Sequence, residues 1–125
     1  MLYEILKVKQ DDPAVKMRWF TAENCDSDLY VWQDMQNGQI VQFQFYFDRH
    51  FDEKVVEWKG GESLYFGKVK DETLRGPKAA PIVIRQAELD LEVISQIFCA
   101  KSGEIEHQIR EFVSQKLVQR LPRAS

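Results

Sequence analysis

The sequence has few of the residues that build disulfide scaffolds and zinc sites. Only two cysteines and two histidines occur among its 125 residues. Cys25 and Cys99 stand far apart and form no CxxC pair, so we expect reduced thiols in a cytoplasmic protein rather than a disulfide framework. Two histidines are too few for the ligand spacing that a zinc site normally shows. We therefore predict no metal and no cofactor, and we expect Cys99, which follows an apolar run, to be buried.

Long apolar runs and a large excess of one charge are missing as well. No apolar run approaches the ~18 residues of a membrane span. Glu4 and Lys7 interrupt the segment in which a signal peptide needs an unbroken apolar stretch. The net charge is −3 and the pI is about 5.4, whereas nucleic acids and anionic membranes select clustered positive charge. These features predict a cytoplasmic protein that binds neither nucleic acid nor a membrane.

The common catalytic and phosphate-binding motifs do not occur in the chain. It contains no GxSxG, GxxxxGK[ST], GxGxxG or HExxH sequence. Gly60-Gly61 predicts a hairpin turn, because no helix start follows it as a phosphate-binding loop would need. The motifs thus leave open whether the protein is an enzyme, and they favour a non-enzymatic binding protein.

The most informative segment is the aromatic run from Asp28 to Phe47, which predicts a β-hairpin. Asn37-Gly38 at its centre is a strong hairpin signal, because both positions tolerate the positive φ of a type I′ turn. A two-residue loop there would place Trp32 opposite Phe43. Side-chain alternation would then put these apolar residues on one face: Tyr30, Trp32, Val41, Phe43, Phe45 and Phe47. The other face would carry Leu29, Val31, Gln33, Gln42, Gln44 and Tyr46.

Further strands are predicted on both sides of this hairpin. Residues 2–9, 15–22, 53–59 and 63–69 have the composition or the alternation of strands, and 82–84 adds a candidate short strand. Because consecutive strands with short connections usually pair in order, the sequence predicts an antiparallel meander of about five to six strands.

The apolar period becomes helical in the C-terminal part of the chain. The first helix is predicted to have an apolar stripe of Leu89, Val93 and Ile97, flanked by Ile94 and Phe98. A second helix, about 103–121, has one apolar stripe made of Ile105, Ile109, Phe112, Val113 and Leu117. Ser102 is its predicted N-cap, with Glu104 and Glu106 in the first turn.

These patterns together predict one α+β domain over residues 1–125. Residues 1–69 are mainly β, 70–86 form a linker, 87–121 contain two helices and 122–125 form a tail. The two helices cover the aromatic face of the sheet, because each of these apolar surfaces needs a partner.

Three groups of polar residues are candidate sites. A charged loop brings together side chains that suit a metal or a small ligand, although the simpler explanation, which we favour, is a solvated loop: Asp48, Arg49, His50, Asp52 and Glu53. Arg18 either pairs with a carboxylate at the sheet edge or joins that loop in a shallow site. An amide-rich face is either plain solvent-facing surface or an interface for a protein partner or a second copy: Gln33, Gln42, Gln44 and Tyr46.

Several of these residues follow one another in a familiar order. The series is Arg18-Trp19-Phe20, Asp28-Leu29-Tyr30-Val31-Trp32, Phe43-Gln44, Asp48, Asp52-Glu53 and Trp58. It resembles a group of small uncharacterised bacterial proteins with an RWF…DLxVW…FQ…D…E…W pattern, over roughly residues 18–58. The resemblance implies a bacterial, cytoplasmic, single-domain protein and brings no activity, cofactor or catalytic residue.

Two functional hypotheses follow from the sequence. The first is a non-enzymatic interaction module that acts through its sheet face or sheet edge, with a protein partner or by self-association. The second is an enzyme or a small-ligand or metal binder that uses the Asp48–Glu53 loop and a pocket between sheet and helices.

Overall fold

The computed structural model of the chain is a seven-stranded antiparallel sheet followed by two helices. It describes residues 1–50, 53–61, 64–69, 82–84 and 90–119. The strands are β1 (Leu2–Ile5), β2 (Val15–Ala22), β3 (Asp28–Asp34), β4 (Ile40–Phe47), β5 (Lys54–Trp58), β6 (Leu64–Lys68) and β7 (Ile82–Ile84). The helices are α1 (Leu91–Lys101) and α2 (His107–Gln119).

The strands pair in the order in which they occur in the chain, from β1 to β7. The predicted meander with two C-terminal helices is therefore confirmed, with seven strands instead of five to six. The first strand is shorter than predicted, because it ends at Ile5 rather than at residue 9. Most of the predicted linker over 70–86 and the predicted tail over 122–125 lie outside the described residues.

The loop that joins β3 to β4 is closed by Asp34 and Gln39, and it contains four residues, 35–38, rather than two. The Asp34 amide donates to the Gln39 carbonyl (2.8 Å), and the Gly38 amide donates back to the Asp34 carbonyl (2.8 Å). The Asp34 side chain accepts a further bond from the Gln36 amide (2.7 Å). Only Gly38 in this loop has a positive φ, of 72°. A four-residue loop built on a turn and closed by a left-handed glycine replaces the predicted type I′ turn.

This longer loop changes the register of the whole hairpin. Val31, and not Trp32, pairs with Phe43, and the register shifts again at a bulge between Trp32 and Gln33. Because side chains alternate along a strand, a slip of one residue moves every side chain of β3 to the opposite face. The predicted faces are thus wrong for β3, and Leu29 and Val31 point to the same side as Phe43, Phe45 and Phe47.

The two helices cover the face that carries these phenylalanines. Phe45 meets Phe98 of α1 edge to face, with ring centres 5.3 Å apart, and Trp58 meets Phe112 of α2 at 5.0 Å. The buried stripe of α2 follows the prediction and contains Ile109, Val113 and Leu117. Burying this many aliphatic and aromatic side chains is the main favourable term for a sheet with helices on one side.

The buried stripe of α1 differs from the predicted one. Leu91, Ile94 and Phe98 are buried, whereas Val93 is 47% exposed. Asp90 caps this helix, because its side chain accepts bonds from the Glu92 and Val93 amides. The predicted Leu89 position lies outside the described residues.

The connection between the helices is longer than the sequence suggested. Ser102 ends α1, and α2 begins only at His107. Ser102 therefore does not cap α2, and Glu104 and Glu106 lie in the connection rather than in its first turn. The predicted charge pattern at the N-terminus of α2 is wrong, and both carboxylates are placed beside the sheet edge instead.

The other face of the sheet carries a second aromatic cluster. Trp19 stacks on Tyr30, with ring centres 6.0 Å apart, and Tyr30 meets Tyr46 edge to face at 6.1 Å. The Trp19 indole donates to Asp28 (3.0 Å), which satisfies its only donor. Tyr46 has no exposed surface, so this cluster is part of the interior.

Candidate functional site

The charged loop after β4 lies against the turn between β2 and β3. The Arg49 amide donates to the Asp26 carbonyl (3.3 Å), and His50 Nε2 donates to the Asn24 carbonyl (3.0 Å). Asp48 is exposed, with a φ of 59°, whereas Glu53 is only 7% exposed. Asp52 lies outside the described residues. The bond of His50 to a backbone carbonyl gives this imidazole a structural role in joining two turns.

The described part of the chain has no cluster of side chains that could bind a metal ion. No group of three or more histidine, cysteine, aspartate or glutamate side chains within residues 1–50, 53–61, 64–69 and 90–119 is placed to hold a metal ion. Cys25 and Cys99 are both free and exposed. The expected burial of Cys99 is therefore wrong, because the buried stripe of α1 passes through Phe98 instead.

The four residues of the predicted amide-rich face do not form one surface. Gln42 and Gln44 both donate to the Glu57 carboxylate on β5. Gln33 lies on the opposite face, where it accepts a bond from Arg18. Gln44 is 4% exposed and its side-chain oxygen is buried without a hydrogen-bond partner. Since Tyr46 is also fully buried, a flat interface made from these residues would require the chain to open.

Arg18 is the centre of a hydrogen-bond network at the start of the sheet. Its guanidinium binds Glu4 of β1 through two bonds (2.8 and 2.7 Å) and Glu106 of the helix connection through one (2.8 Å). A weaker bond reaches Gln33 on β3 (3.2 Å). The pairing of Arg18 with a carboxylate at the sheet edge is thus as predicted. The sequence did not identify Glu4 and Glu106, because they lie 14 and 88 positions away.

This network shifts the protonation of its members. The hydrogen bond from Arg18 holds the pKa of Glu4 below its usual value of 4.5, against the opposing effect of burial. The hydrogen bond to Glu4 likewise raises the pKa of Arg18, with Glu106 adding to it. Both side chains stay charged at neutral pH, and every guanidinium nitrogen of Arg18 already has a protein partner. Arg18 is therefore a poor clamp for an external anion.

A cavity of about 340 Å³ opens beside this network, between β1–β2 and the helix connection. Its apolar walls come from Leu2, Tyr3, Phe20 and Ile105. Three carboxylates and one guanidinium also line it: Glu4, Glu104, Glu106 and Arg18. The cavity thus adjoins the outermost strand and carries a net negative charge.

The edge strand β1 itself presents apolar side chains to solvent. Tyr3 is 46% exposed, and the flanking residues Met1 and Leu6 are 45% and 85% exposed. In the described part of the sheet, β1 is hydrogen-bonded only to β2 and forms one end of the strand order. An exposed edge with apolar side chains is a template for pairing with another strand.

The neighbouring edge of β2 is protected in a way that β1 is not. Beyond the end of β1, the Gln10 carboxamide donates to the Met17 carbonyl and accepts from the Met17 amide (2.9 Å each). One side-chain amide thus takes the place of a paired strand and occupies both backbone groups. At this end of the described sheet, the open edge is thereby confined to β1. None of the sites predicted from the sequence includes a residue of β1.

Comparisons with known proteins add no relative to this description. No protein-family model, no curated protein and no solved structure matches the chain. Neither α1 nor α2 is long and apolar enough to cross a membrane.

Proposed function

We propose that this protein is a non-enzymatic interaction module that binds an extended segment by adding it as a strand to β1. The observation that carries the proposal is the exposure of Tyr3, on an edge strand that pairs on one side only, and of Leu6 directly after that strand. Strand addition draws its affinity from main-chain hydrogen bonds and its specificity from alternate side chains.

The devices that usually protect a sheet edge are few on β1. Natural edges carry lysine, proline, bulges or inward-pointing charges, whereas β1 reads Leu-Tyr-Glu-Ile. Its one charge, on Glu4, is bound by two hydrogen bonds from Arg18 and is neutralised there. The remaining protection is the shortness of the strand, which favours a specific short contact over open-ended aggregation.

The two faces of β1 offer different environments to an added strand. Leu2 and Glu4 face the cavity with Arg18 and Phe20, because they share one side of the sheet. Tyr3 and Ile5 point to the opposite side, next to Thr21 and Trp19 of β2. Alternate residues of a bound segment would thus meet the acidic cavity on one side and an aromatic surface on the other.

The alternative of an enzyme or a ligand site in the Asp48–Glu53 loop has weaker support. His50 and the Arg49 backbone are bonded to the neighbouring turn, and the cavity lies at the Arg18 network, whose lining includes none of these loop residues. We also propose a bacterial cytoplasmic location. The two exposed free cysteines support it, because such thiols persist in reducing compartments.

A site-specific cross-linking experiment tests the proposed function. A photo-reactive phenylalanine analogue is placed at Leu6 and, as a matched control, at Val118 of α2, which is 51% exposed. We expect the Leu6 probe to link to one reproducible, sequence-identified segment, and Tyr3→Lys in the same chain to reduce this product at least about fivefold. Equal or scattered products from the two probe positions would contradict strand addition at β1.

A further inference from the structure

We propose that the segment added to β1 is β1 of a second copy of this chain, paired antiparallel across a two-fold axis. This inference rests on the proposed function and names its partner. Two copies related in this way form one continuous sheet of fourteen strands, twice the seven of one chain. A two-fold interface uses the same patch on both subunits, so one exposed edge is sufficient.

The side chains of β1 are compatible with such a pairing. A two-fold axis perpendicular to the sheet keeps the helices of both copies on one side, so residues of β1 that share a face meet each other. Tyr3, which is 46% exposed, then lies opposite Tyr3 or Ile5 of the second copy. Aromatic and β-branched residues directly opposite each other stabilise antiparallel pairs.

The charge on Glu4 does not oppose the pairing. Two glutamates close to a two-fold axis would normally repel each other. Each Glu4 carboxylate, however, already accepts two bonds from its own Arg18 at 2.7 and 2.8 Å. Each copy therefore presents an ion-paired Glu4, and not a bare carboxylate, on the cavity side of the joint.

Charge complementarity at the ends of β1 identifies the second copy as the partner. The Met1 side chain lies against Gly103, where an added Cβ would come within 3.4 Å of its terminal carbon. An antiparallel partner therefore runs past Met1 and brings its residues after Ile5 to the helix connection. The basic residues there are Lys7 and Lys9, and the connection presents Glu104; all three are exposed.

The groups at this contact are available within each chain. Lys7 and Glu104 take part in none of the ion pairs found among the described residues. In the proposed dimer, the segment after β1 that carries Lys7 passes the helix connection that carries Glu104 twice, once at each end of the joint. Because β1 has only four residues, the area is below that of a standard interface and the dimer should be weak, with a Kd of about 10–100 μM.

Charge reversal tests this assignment directly. Sedimentation velocity of the purified full chain is measured from about 5 to 300 μM for the wild type, Lys7→Glu, Glu104→Lys and the double variant. We expect each single reversal to weaken dimerisation about tenfold at low salt and the double variant to recover the wild-type value within about threefold. Lys59→Glu, at a position 60% exposed, is the matched control and should leave the dimer unchanged.

The outcomes separate this inference from the proposed function. A chain that is monomeric at all these concentrations, or a double variant as weak as the single ones, would overturn the second copy as partner. If the Leu6 cross-link then contained an identified segment of another protein, strand addition at β1 would stand with a different occupant. We expect Leu6→Glu to weaken the dimer and Val118→Glu to leave it intact. If both variants leave the dimer intact, the dimer uses another surface and the inference is overturned. Leu6 is 85% exposed, so its replacement leaves folding unaffected.

Discussion

Arg18 joins parts of the chain that are distant in sequence but adjacent at the sheet edge. Its guanidinium bonds Glu4 on β1, Gln33 on β3 and Glu106 before α2. The side chain is 15% exposed, so its charge is partly removed from water and its bonds are stronger than those of a surface ion pair. The network fixes β1 on the sheet and at the same time cancels the charge that would protect this edge.

At this scale the pKa of Glu4 predicts a pH dependence of stability. Its folded-state pKa lies below the usual 4.5, chiefly because of the hydrogen bond from Arg18. The stabilisation is complete above the unfolded-state pKa and is lost as the pH falls through the folded-state pKa. We therefore expect the unfolding free energy of the wild type to fall more steeply below about pH 4.5 than that of Glu4→Gln. Urea melts between pH 6 and pH 3 measure both slopes, and parallel slopes would show that the Glu4–Arg18 bonds contribute nothing.

The sequence predicted single residues here only in part. The need to pair the charge of Arg18 at the sheet edge predicted a carboxylate partner, and the structure contains one. Which carboxylate it would be depends on how β1 and the helix connection approach the sheet. A contact between residues 18 and 106 leaves no periodic signal in the sequence.

At the scale of the elements, the β3–β4 hairpin shows how one loop determines a face. The Asn37-Gly38 pair predicted a two-residue turn, but Asp34 forms bonds that extend the loop to four residues. An aspartate that caps a turn through its side chain competes with the tight type I′ geometry. The hairpin, its ends and its strands were predictable, and its register was not, because both possible faces of β3 are rich in apolar residues.

A pair of matched substitutions tests this register. Val31 has no exposed surface and packs under the helices, whereas Val41 is 37% exposed and is left without a partner at the bulge. We expect Val31→Ala to lower the unfolding free energy by about 2 kcal/mol and Val41→Ala by less than about 0.5 kcal/mol. Urea denaturation of both variants gives the comparison. The reverse order of the two losses would restore the register with Trp32 opposite Phe43.

At the scale of the whole molecule, the sheet buries aromatic residues on both sides. The helices cover the phenylalanine face, and the second face holds Tyr30 and Tyr46 at 6% and 0% exposure. The predicted amide-rich interface is therefore not available on this face. The sequence did not reveal this, because alternation assigns side chains to faces but does not show which face is buried. The fold class could be predicted from periodicity and short connections. The open edge could not, because it depends on where β1 ends and on the Gln10 side chain that covers the edge of β2.

Edge-to-edge pairing of two copies would protect the outer backbone amides of β1 from exchange with solvent. Hydrogen–deuterium exchange of the segment containing Leu2–Ile5 is measured on the full chain at about 1 and 200 μM, on either side of the expected Kd. We predict that exchange in this segment slows at least about threefold at the higher concentration, while β4, inside the sheet, does not change. The same exchange rate in β1 at both concentrations would contradict the account, because its outer amides would then have no partner.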